Sequence, residues 1–385
     1  MTKAMRVLQL GKFYPVFGGV EKVMWDLTKG LSESHVQCDM LCCGLRREIK
    51  GRMKGRCKAR PLVLRFNDCG SCIVVPAIAK IAATMLSPRL VFKLRAIKDN
   101  YDVIHVHHPD PMAAVALMLS GYRGKVVLHW HSDILKQQWL LKFYYPVLQW
   151  MIRRADVIVG TTPVYVQNSP LLIKVQDKIQ VIPIGINPVI PDQKGAERVR
   201  AQFPGKRIVY SLGRLVEYKG YDYLVEAARY LPDDYHILIG GEGPMHRQLE
   251  DRIREYGVQD KVTLMGFIDD SDFAAYYTAC DVFALSSIYK TEAFAIVQIE
   301  AMSCGKPVVA TQIQGSGVSW VNSDGDSGRN VCPRDAKAMA AAIESIVGDD
   351  DVYGGYCARA YQRYRELFTY DVMIEKCKRL YEELL

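Results

Sequence analysis

The chain has 385 residues, long enough for two domains of ordinary size, and its 49% apolar and 24% charged residues are typical of a folded globular protein. No run approaches the ~20 apolar residues of a membrane span, and the first thirty residues lack the pattern of a signal peptide, so we expect a cytoplasmic protein. The eleven cysteines contain one CxxC, Cys69 and Cys72, whereas a zinc ribbon needs two such pairs. We therefore expect reduced thiols.

Charge is unevenly divided along the chain. Residues 1–190 contain 27 basic and 12 acidic residues, a net charge of +15, whereas the remainder contains 23 and 30, a net charge of −7. The segment Arg46–Arg60 concentrates eight basic residues around one acid, Glu48. Such a segment is typical of contact with anionic lipid or an acidic polymer, and equally of a solvated basic loop.

The first predicted strand, Met5–Gly11, leads into a loop in which Gly18 and Gly19 open a helix. A strand, a glycine loop and a helix form the unit that presents backbone N–H groups to phosphate, and a double glycine allows close approach of a ligand. No GxGxxG follows the strand, so this is not a dinucleotide fingerprint. The alternative is an ordinary turn between a strand and a helix.

Two later strands, Asp102–His107 and Val126–His131, end in polar residues. These residues are His105, His107, His108, Asp110, His129, His131 and Asp133. Ligands of open parallel sheets bind outside the carboxyl ends of the strands, where these side chains lie. Such a set could ligate a metal, but the HxH spacing is loose and no HExxH motif supports it. We therefore predict no metal. The simplest alternative to a metal site is that these histidines make their hydrogen bonds within the protein.

The rest of the chain continues the alternation of strands and helices. Further strands are predicted at Val36–Cys43, Asp156–Gly160, Lys178–Ile182, Arg207–Leu212, His236–Gly240, Val262–Met265, Val282–Leu285, Val308–Thr311 and Gly328–Val331. The segment Pro183–Pro188 is dense in turn formers and is interpreted as the link between two domains. The fold class is therefore α/β, with two doubly wound Rossmann-like domains.

A pair of glutamates, Glu292 and Glu300, brackets an apolar segment expected to be helical. At 1.5 Å per residue the two acids would lie about 12 Å apart along the axis, which suits one elongated ligand held at two points. The helix N-terminus between them offers N–H groups to an anion. Arg214 and Lys219 flank a glycine-bounded loop after another strand, and two cations there suit a diphosphate. The alternative is an amphipathic helix with surface glutamates and exposed bases.

Taken together and in this order, the motifs resemble the retaining, nucleotide-sugar-dependent glycosyltransferases of family 4. They are the Gly18–Gly19 loop, HSD at His131–Asp133, PIGIN at Pro183–Asn187, GRLVEYKG at Gly213–Gly220, GEGP at Gly241–Pro244, GF at Gly266–Phe267, and Glu292 with Glu300. The resemblance covers nearly the whole chain and implies the GT-B fold, in which two Rossmann-like domains face a cleft. Two departures are PIGIN in place of a PNG motif and His129 where threonine is frequent.

The resemblance also implies roles for individual residues. Glu292, His131, Arg214 and Lys219 are implied to be catalytic, with Arg214 and Lys219 on the donor diphosphate and His131 beside the sugar. The residues implied to bind the donor are Gly18, Gly19, Arg214, Lys219, Gly241, Glu292, Phe294, Ala295, Ile296 and Glu300. Among these, Glu292 is expected to hold the sugar and Glu300 the ribose hydroxyls.

Domain roles follow from the same resemblance. Residues 1–187 are expected to bind the acceptor and residues 188–365 the nucleotide sugar, with the helix in 366–385 packing back toward the first domain. The expected reaction moves a hexose-type sugar, with retention, to a hydroxyl of a glycan or lipid-linked acceptor in bacterial surface polysaccharide synthesis. No metal or other cofactor and no nucleic acid partner is expected. The anionic inner face of a membrane is a further expected partner.

Three other functions remain open from sequence. A nucleotide-sugar epimerase of the same fold would form a sugar product without an acceptor. A non-catalytic nucleotide-sugar-binding module would share the fold without the chemistry. A metal-dependent hydrolase would use the histidines and would lose activity in chelator.

Overall fold

A computed structural model of the chain describes residues 5–16, 18–50, 61–81, 84–134 and 138–385. Contacts between residues divide the chain into two compact units. Unit 1 comprises Met1–Gly185 together with Tyr370–Leu385, and unit 2 comprises Ile186–Thr369. The division therefore falls between Gly185 and Ile186, and it assigns the terminal helix to unit 1.

Unit 1 is built on an eight-stranded sheet with the order β10-β9-β8-β7-β1-β2-β4-β3. Its strands are β1 (Arg6–Tyr14), β2 (Gln37–Leu45), β3 (Leu62–Asn67), β4 (Gly70–Ala77), β7 (Val103–His108), β8 (Lys125–Trp130), β9 (Val157–Gly160) and β10 (Ile179–Val181). A separate antiparallel pair is formed by β5 (Ala79–Ile81) and β6 (Thr84–Leu86). All neighbours in the large sheet are parallel except β3 and β4. The central strands are buried along their length, as expected for a sheet that helices cover on both faces.

The helices of unit 1 connect these strands and close its surface. They are α1 (Gly19–Glu33), α2 (Arg46–Lys50), α3 (Pro88–Ile97), α4 (Pro111–Ser120), α5 (Gln138–Arg154), α6 (Pro163–Gln167) and the terminal α15 (Tyr370–Leu384). Helix α15 packs on α1, where Gly30 makes room for it: a Cβ on Gly30 would lie 2.5 Å from Cδ1 of Ile374. The Tyr370 hydroxyl donates to the backbone oxygen of Asp26 at 3.1 Å.

Unit 2 is built on a six-stranded, wholly parallel sheet with the order β13-β12-β11-β14-β15-β16. Its strands are β11 (Arg207–Leu212), β12 (Tyr235–Gly240), β13 (Val262–Gly266), β14 (Val282–Leu285), β15 (Val308–Thr311) and β16 (Gly328–Val331). Its helices are α7 (Gln193–Ala201), α8 (Tyr221–Ala227), α9 (His246–Tyr256), α10 (Phe273–Ala279), α11 (Ile296–Ser303), α12 (Val318–Val321), α13 (Ala336–Val347) and α14 (Asp350–Leu367). Strands β12, β14 and β15 are buried at every position, which explains their continuous apolar runs.

The predicted fold class, α/β with two doubly wound parallel sheets, is confirmed. Predicted strand positions agree with the observed ones to within a few residues, because long apolar runs mark buried parallel strands clearly. Strands β3, β4, β5 and β6 were not predicted. Strand β4 is buried, but its apolar run is short and contains Pro76, whereas β3, β5 and β6 are partly exposed and give no apolar run. Of the basic segment Arg46–Arg60, only 46–50 lies within the described residues.

The part of the chain that the structure describes contains no helix that is both long and apolar enough to span a membrane.

Candidate functional site

The carboxyl ends of β11, β12 and β14 bring most of the predicted donor-binding residues of unit 2 to one sheet edge. The loop after β11 carries Arg214 and Lys219, and the loop after β14 carries Glu292. Backbone bonds join the two loops, since the Ile288 amide donates to the Tyr218 carbonyl at 2.8 Å and the Ser286 hydroxyl donates to the Lys219 carbonyl at 2.9 Å. The edge is therefore held as one structure.

Lys219 and Glu292 form a buried ion pair at the centre of this edge. The Lys219 ammonium lies 2.6 Å from Oε2 of Glu292, and the Ser287 hydroxyl donates to the same oxygen at 3.0 Å. Burial alone would lower the pKa of Lys219, but the Glu292 carboxylate outweighs it and raises that pKa, so the lysine is charged. A charged lysine positioned by a carboxylate is suited to an anionic group of a ligand.

Arg214 contributes a cation of a different kind. Its side chain is exposed and forms no ion pair with any described residue. Lys219 shares its charge with Glu292, whereas no described carboxylate pairs with Arg214. Its planar fork of donors matches the geometry of a phosphate.

Two glycines shape the backbone around these cations. Gly220 has φ +64°, and a Cβ there would lie 2.2 Å from the Ser286 carbonyl oxygen. Gly241, predicted to bind the donor, has φ +124°, and a Cβ there would lie 2.0 Å from the carbonyl oxygen of Gly213. Because only glycine fits this contact, Gly241 allows the loops after β11 and β12 to approach each other closely.

The two glutamates occupy the predicted positions, one in the loop before a helix and one within that helix. Helix α11 begins at Ile296, after Ala295 in a left-handed conformation with φ +61°, and Glu292 lies in the loop before it. The predicted separation of about 12 Å applied the helical rise to all of 292–300, whereas the helix covers only 296–300 of that stretch. No side chain caps this helix end, so the first amides, of Ile296 and Val297, lack an intrahelical acceptor. These amides are suited to an anion.

The other predicted donor-binding residues near α11 are held by neighbours. The ring of Phe294 is buried, 5.9 Å edge-on from Phe368, so this side chain contributes packing, and a contact to a ligand would come from its backbone. Glu300 lies in the second turn of α11, and the hydroxyl of buried Tyr277 donates to its Oε2 at 2.8 Å. Tyr277 thus orients the carboxylate expected to hold ribose hydroxyls.

In unit 1 the predicted His131 belongs to a buried group of four histidines on one face of β7 and at the end of β8. His105, His107 and His129 are at most 1% exposed and His131 is 5% exposed. Their rings stack, with centroids 4.0 Å apart for His129 and His131 and 4.9 Å apart for His105 and His107. Burial lowers the pKa of each ring, to about 3 for His129, so all four are neutral at pH 7.

The histidines of this group are the candidate ligands for a metal ion. Nitrogens of His105, His107 and His129 lie within 4.8 Å of one another, close enough to suggest three ligands. Their rings, however, are within 28° of parallel, so their in-plane lone pairs run alongside one another and do not converge on one point. This arrangement differs from the convergent nitrogens of a tetrahedral zinc site. The expectation that no metal is used stays a prediction.

The glycine loop of unit 1 places Gly18 at the N-cap of α1 and Gly19 at its first position. A Cβ on Gly18 would lie 2.0 Å from Oε2 of Glu21, so the glycine is what allows this carboxylate to lie against the helix start. An acid in the first turn already interacts favourably with the helix N-terminus. A ligand anion bound here would compete with Glu21.

Three buried polar residues of unit 1 were not predicted from sequence. Lys12, with φ +59°, donates from its ammonium to the Pro109 carbonyl at 2.6 Å and from its amide to Oδ2 of Asp110 at 2.6 Å. Gln9 and Tyr381 lie beside the histidines. A lone glutamine within the apolar run of β1 was the available signal, whereas nothing local distinguishes Tyr381 on the last helix.

Comparison with known proteins assigns both halves of the chain. Residues 17–189 match the family described as Glycosyltransferase Family 4, and residues 193–365 match the family described as Glycosyl transferases group 1. Two similar relatives are the O-antigen chain mannosyltransferase C of Escherichia coli, 29% identical over 99% of both chains, and the D-rhamnosyltransferase WbpZ of Pseudomonas aeruginosa, 28% identical over 95% of this chain and 92% of that protein.

Solved structures share the fold at lower identity. A sucrose-phosphate synthase from Thermosynechococcus elongatus superposes with a TM-score of 0.75 at 22% identity, over 98% of this chain and 99% of that one. Anabaena Alr3699/HepE in complex with UDP superposes with a TM-score of 0.77 at 19% identity, over 99% and 100%. The two family matches show that the chain is a glycosyltransferase of family 4, and the sheet topology and the solved structures show that it has the GT-B fold.

Proposed function

We propose that this enzyme transfers a hexose of manno configuration, with retention, from a nucleotide sugar to a hydroxyl of a glycan or lipid-linked acceptor in bacterial surface polysaccharide synthesis. The observation that carries the donor assignment is the edge of unit 2, where the buried Lys219–Glu292 pair lies on the same loops as exposed Arg214 and the uncapped start of α11. A diphosphate is the ligand that these cations and amides suit together.

The choice of sugar comes from the relatives. One relative is named as an O-antigen mannosyltransferase and another as a D-rhamnosyltransferase, and rhamnose of that series is a 6-deoxy form of mannose. Others are named for colanic acid and for lipopolysaccharide core synthesis. These names support a surface polysaccharide as product and a manno-configured sugar as the transferred group.

The chemistry can be written from the residues of unit 2. The bond between C1 of the sugar and the diphosphate oxygen breaks, and charge develops on that oxygen as the sugar becomes oxocarbenium-like. Arg214, Lys219 and the amides at the start of α11 stabilise this charge. The acceptor hydroxyl attacks C1 on the face that the diphosphate leaves, and its proton passes to the departing phosphate oxygen.

Glu292 has two tasks in this proposal. Its Oε2 holds Lys219 and Ser287, so it fixes the cation that meets the diphosphate. Its remaining oxygen is assigned to hydroxyls of the donor sugar. Glu300, oriented by Tyr277, is assigned to the ribose, and His131 of unit 1 to the donor sugar.

The basic first half is assigned to an anionic acceptor or membrane surface. Arg46 and Arg47 are exposed at the start of the basic segment. We expect the protein to bind vesicles that contain 30% anionic phospholipid at low salt and to be released as salt rises. Arg46→Glu together with Arg47→Glu weakens this binding, whereas binding equal to that of neutral vesicles would remove the membrane from the proposal.

The experiment that tests the function is a donor screen with product analysis. Purified protein is incubated with GDP-, UDP-, ADP- and dTDP-linked hexoses, with and without chelator, and with a polyprenyl-diphosphate-linked glycan as acceptor. We expect one manno-configured donor to stabilise the protein and to transfer its sugar in chelator, with the anomeric configuration retained by NMR. Sugar released or epimerised without an acceptor indicates the epimerase, and binding without turnover indicates the binding module. Activity lost in chelator would indicate metal chemistry.

A further inference from the structure

A chain of hydrogen bonds runs through the interior of unit 1 and ends at His131. Nε2 of His131 lies 2.9 Å from Nδ1 of His107, and Nε2 of His107 lies 2.8 Å from Oε1 of Gln9. The amide nitrogen of Gln9 lies 3.1 Å from the Tyr381 hydroxyl, which lies 2.5 Å from Nδ1 of His105. All five side chains are buried. The chain joins a residue assigned to the donor sugar to the last helix of the protein.

The direction of the bonds from Gln9 to His131 follows from the hydrogen bond between His107 and Gln9. A carboxamide oxygen only accepts, so Nε2 of His107 carries the proton that Gln9 receives. The buried rings are neutral and carry one N–H each, so Nδ1 of His107 is an acceptor and Nε2 of His131 is the donor to it. Nδ1 of His131 is then left with a lone pair, and it has no hydrogen-bond partner among the described residues.

The orientation of the Gln9 amide determines this pattern. Its NH₂ group faces two acceptors, the Tyr381 hydroxyl oxygen and, more weakly, the sulfur of Cys38 at 3.9 Å. Because the Tyr381 hydroxyl oxygen accepts from Gln9, its own proton is available to Nδ1 of His105, 2.5 Å away. If the amide turned by 180°, its NH₂ would face His107, every bond beyond it would reverse, and Nδ1 of His131 would carry the proton.

We propose that Gln9 and Tyr381 are positioning residues that fix His131 as the Nε2–H tautomer, so that its Nδ1 meets a hydroxyl of the donor sugar as an acceptor. The inference rests on the proposed function for the role of His131 and adds how that role is set. The tautomer of a histidine is decided by the bond that its other nitrogen makes, and here that bond traces back to a side chain 372 positions from Gln9.

Helix α15 is anchored well enough to serve this purpose. Gly30 of α1 lets Ile374 of α15 approach closely, as described above. Tyr381 is itself completely buried. The terminal helix therefore presents its hydroxyl to Gln9 from a fixed position.

The tautomer can be measured directly in the full chain. Protein labelled with ¹⁵N only in its eight histidines is examined by long-range ¹H–¹⁵N correlation, and His131→Asn identifies the resonances of His131. We expect a protonated Nε2 and an unprotonated Nδ1 in the wild type. Gln9→Met removes the acceptor for His107, and Tyr381→Phe removes the acceptor that orients the amide, so both variants shift His131 toward a mixture of tautomers.

A matched control is available on the same helix. Tyr370→Phe removes a hydroxyl that also bonds between α15 and the body of unit 1, but this hydroxyl does not touch the histidines. We expect the His131 tautomer of this variant to equal that of the wild type. If Gln9→Met does not fold, Tyr381→Phe tests the same inference with a smaller change of volume.

Transfer kinetics then separate positioning from mere structure. Outer partners that fix a ligating histidine are worth about 10- to 100-fold in activity at metal sites, and we expect kcat to fall within this range in Gln9→Met. Tyr370→Phe keeps its kcat. An unchanged tautomer in both variants, or an altered tautomer with an unchanged kcat, overturns the inference. A wild-type enzyme that transfers no sugar would defeat the proposed function alone, because the tautomer measurement needs no turnover.

Discussion

The two units place polar residues at the same position, the carboxyl ends of parallel strands, but treat charge in opposite ways. Each has a buried lysine there. Burial lowers the pKa of Lys12 in unit 1, where its ammonium contacts the Pro109 carbonyl, whereas the pKa of Lys219 in unit 2 is raised because Glu292 lies 2.6 Å away. Both ammonium groups are buried, so the balance between burial and the nearby carboxylates sets the direction in which each pKa moves.

The charge at each sheet edge is not what the net charge of that half of the sequence suggests. The half that is strongly basic overall has a site edge of neutral, stacked histidines, and the half that is acidic overall holds the cations suited to a diphosphate. Net charge is set mainly by exposed residues, so it reports on partners of the surface. The chemistry of each edge depends on a few buried contacts.

The largest effect is expected from the ion pair of unit 2. Glu292→Gln leaves a buried ammonium without its carboxylate, which typically costs about 3–5 kcal/mol of stability, and removes the group that positions Lys219. We also expect transfer to fall by about 10²- to 10³-fold. Urea unfolding and initial transfer rates measure the two effects.

The double variant Glu292→Gln with Lys219→Met is the control for this prediction. It removes both charges, so we expect much of the lost stability to return while transfer stays low. Recovery of transfer in the double variant would show that the pair is only structural.

The second effect concerns pH and belongs to unit 1. The folded pKa of His129 is about 3 against 6.5 for the free side chain, so below pH 6.5 the unfolded chain binds a proton that the folded chain does not. The contribution of neutral His129 to stability is therefore fully present above pH 6.5. The free energy of unfolding falls as pH drops toward the folded pKa, by about 1.4 kcal/mol per pH unit for each such histidine. The free energy of unfolding should change less steeply with pH between 6 and 4 in His129→Leu, by the amount that corresponds to about one proton.

The control for the pH prediction is Val127→Ala, a buried change on the same strand that does not titrate. It should lower stability by a similar amount at every pH tested. Equal slopes for wild type and His129→Leu would contradict a neutral, buried His129.

A smaller effect is expected from the support of Glu300. Tyr277→Phe removes the hydroxyl that holds Oε2 of Glu300, and a hydrogen bond to a charged group contributes about 1.5–3 kcal/mol at most. We expect KM for the donor to rise about 10-fold with little change in kcat. Tyr276→Phe, the neighbouring substitution, should leave KM unchanged, and a matching rise in that variant would count against the specific role of Tyr277.

The smallest effect is expected where the same charges are exposed. Arg252 and Glu255 form an ion pair at 2.7 Å on the surface of α9, in geometry as close as that of Lys219 and Glu292. Arg252→Ala should change stability far less than Glu292→Gln does, because solvent screens exposed pairs. A loss comparable to that of Glu292→Gln would break the distinction between buried and exposed pairs.

The fold was predictable from sequence because apolar runs such as Val282–Leu285 and Val308–Thr311 coincide with the observed strands. The identities of Arg214, Lys219, Glu292 and Glu300 were predictable from motifs. Their pairing was not, since the bond between Lys219 and Glu292 joins positions 73 apart along the chain. The left-handed conformation of Ala295, just before the first helical residue Ile296, has no sequence signature.

The contacts of Gln9 and Tyr381 lie further beyond sequence reasoning. A glutamine on the first strand and a tyrosine on the last helix meet only because α15 packs on α1. The periodicity of α15 predicts a buried face but does not identify which strand residues that face meets.

The central claim is that the edge of unit 2 binds a nucleoside diphosphate through Arg214 and the Lys219–Glu292 pair. Isothermal titration of GDP and UDP into wild type, Arg214→Ala and the surface control Arg252→Ala tests it most directly. We predict that one nucleotide binds the wild type and the control alike and binds Arg214→Ala about 10- to 100-fold more weakly, the loss expected for a hydrogen bond to a charged group. Equal affinity for Arg214→Ala and wild type, or no binding of either nucleotide to the wild type, would contradict the account.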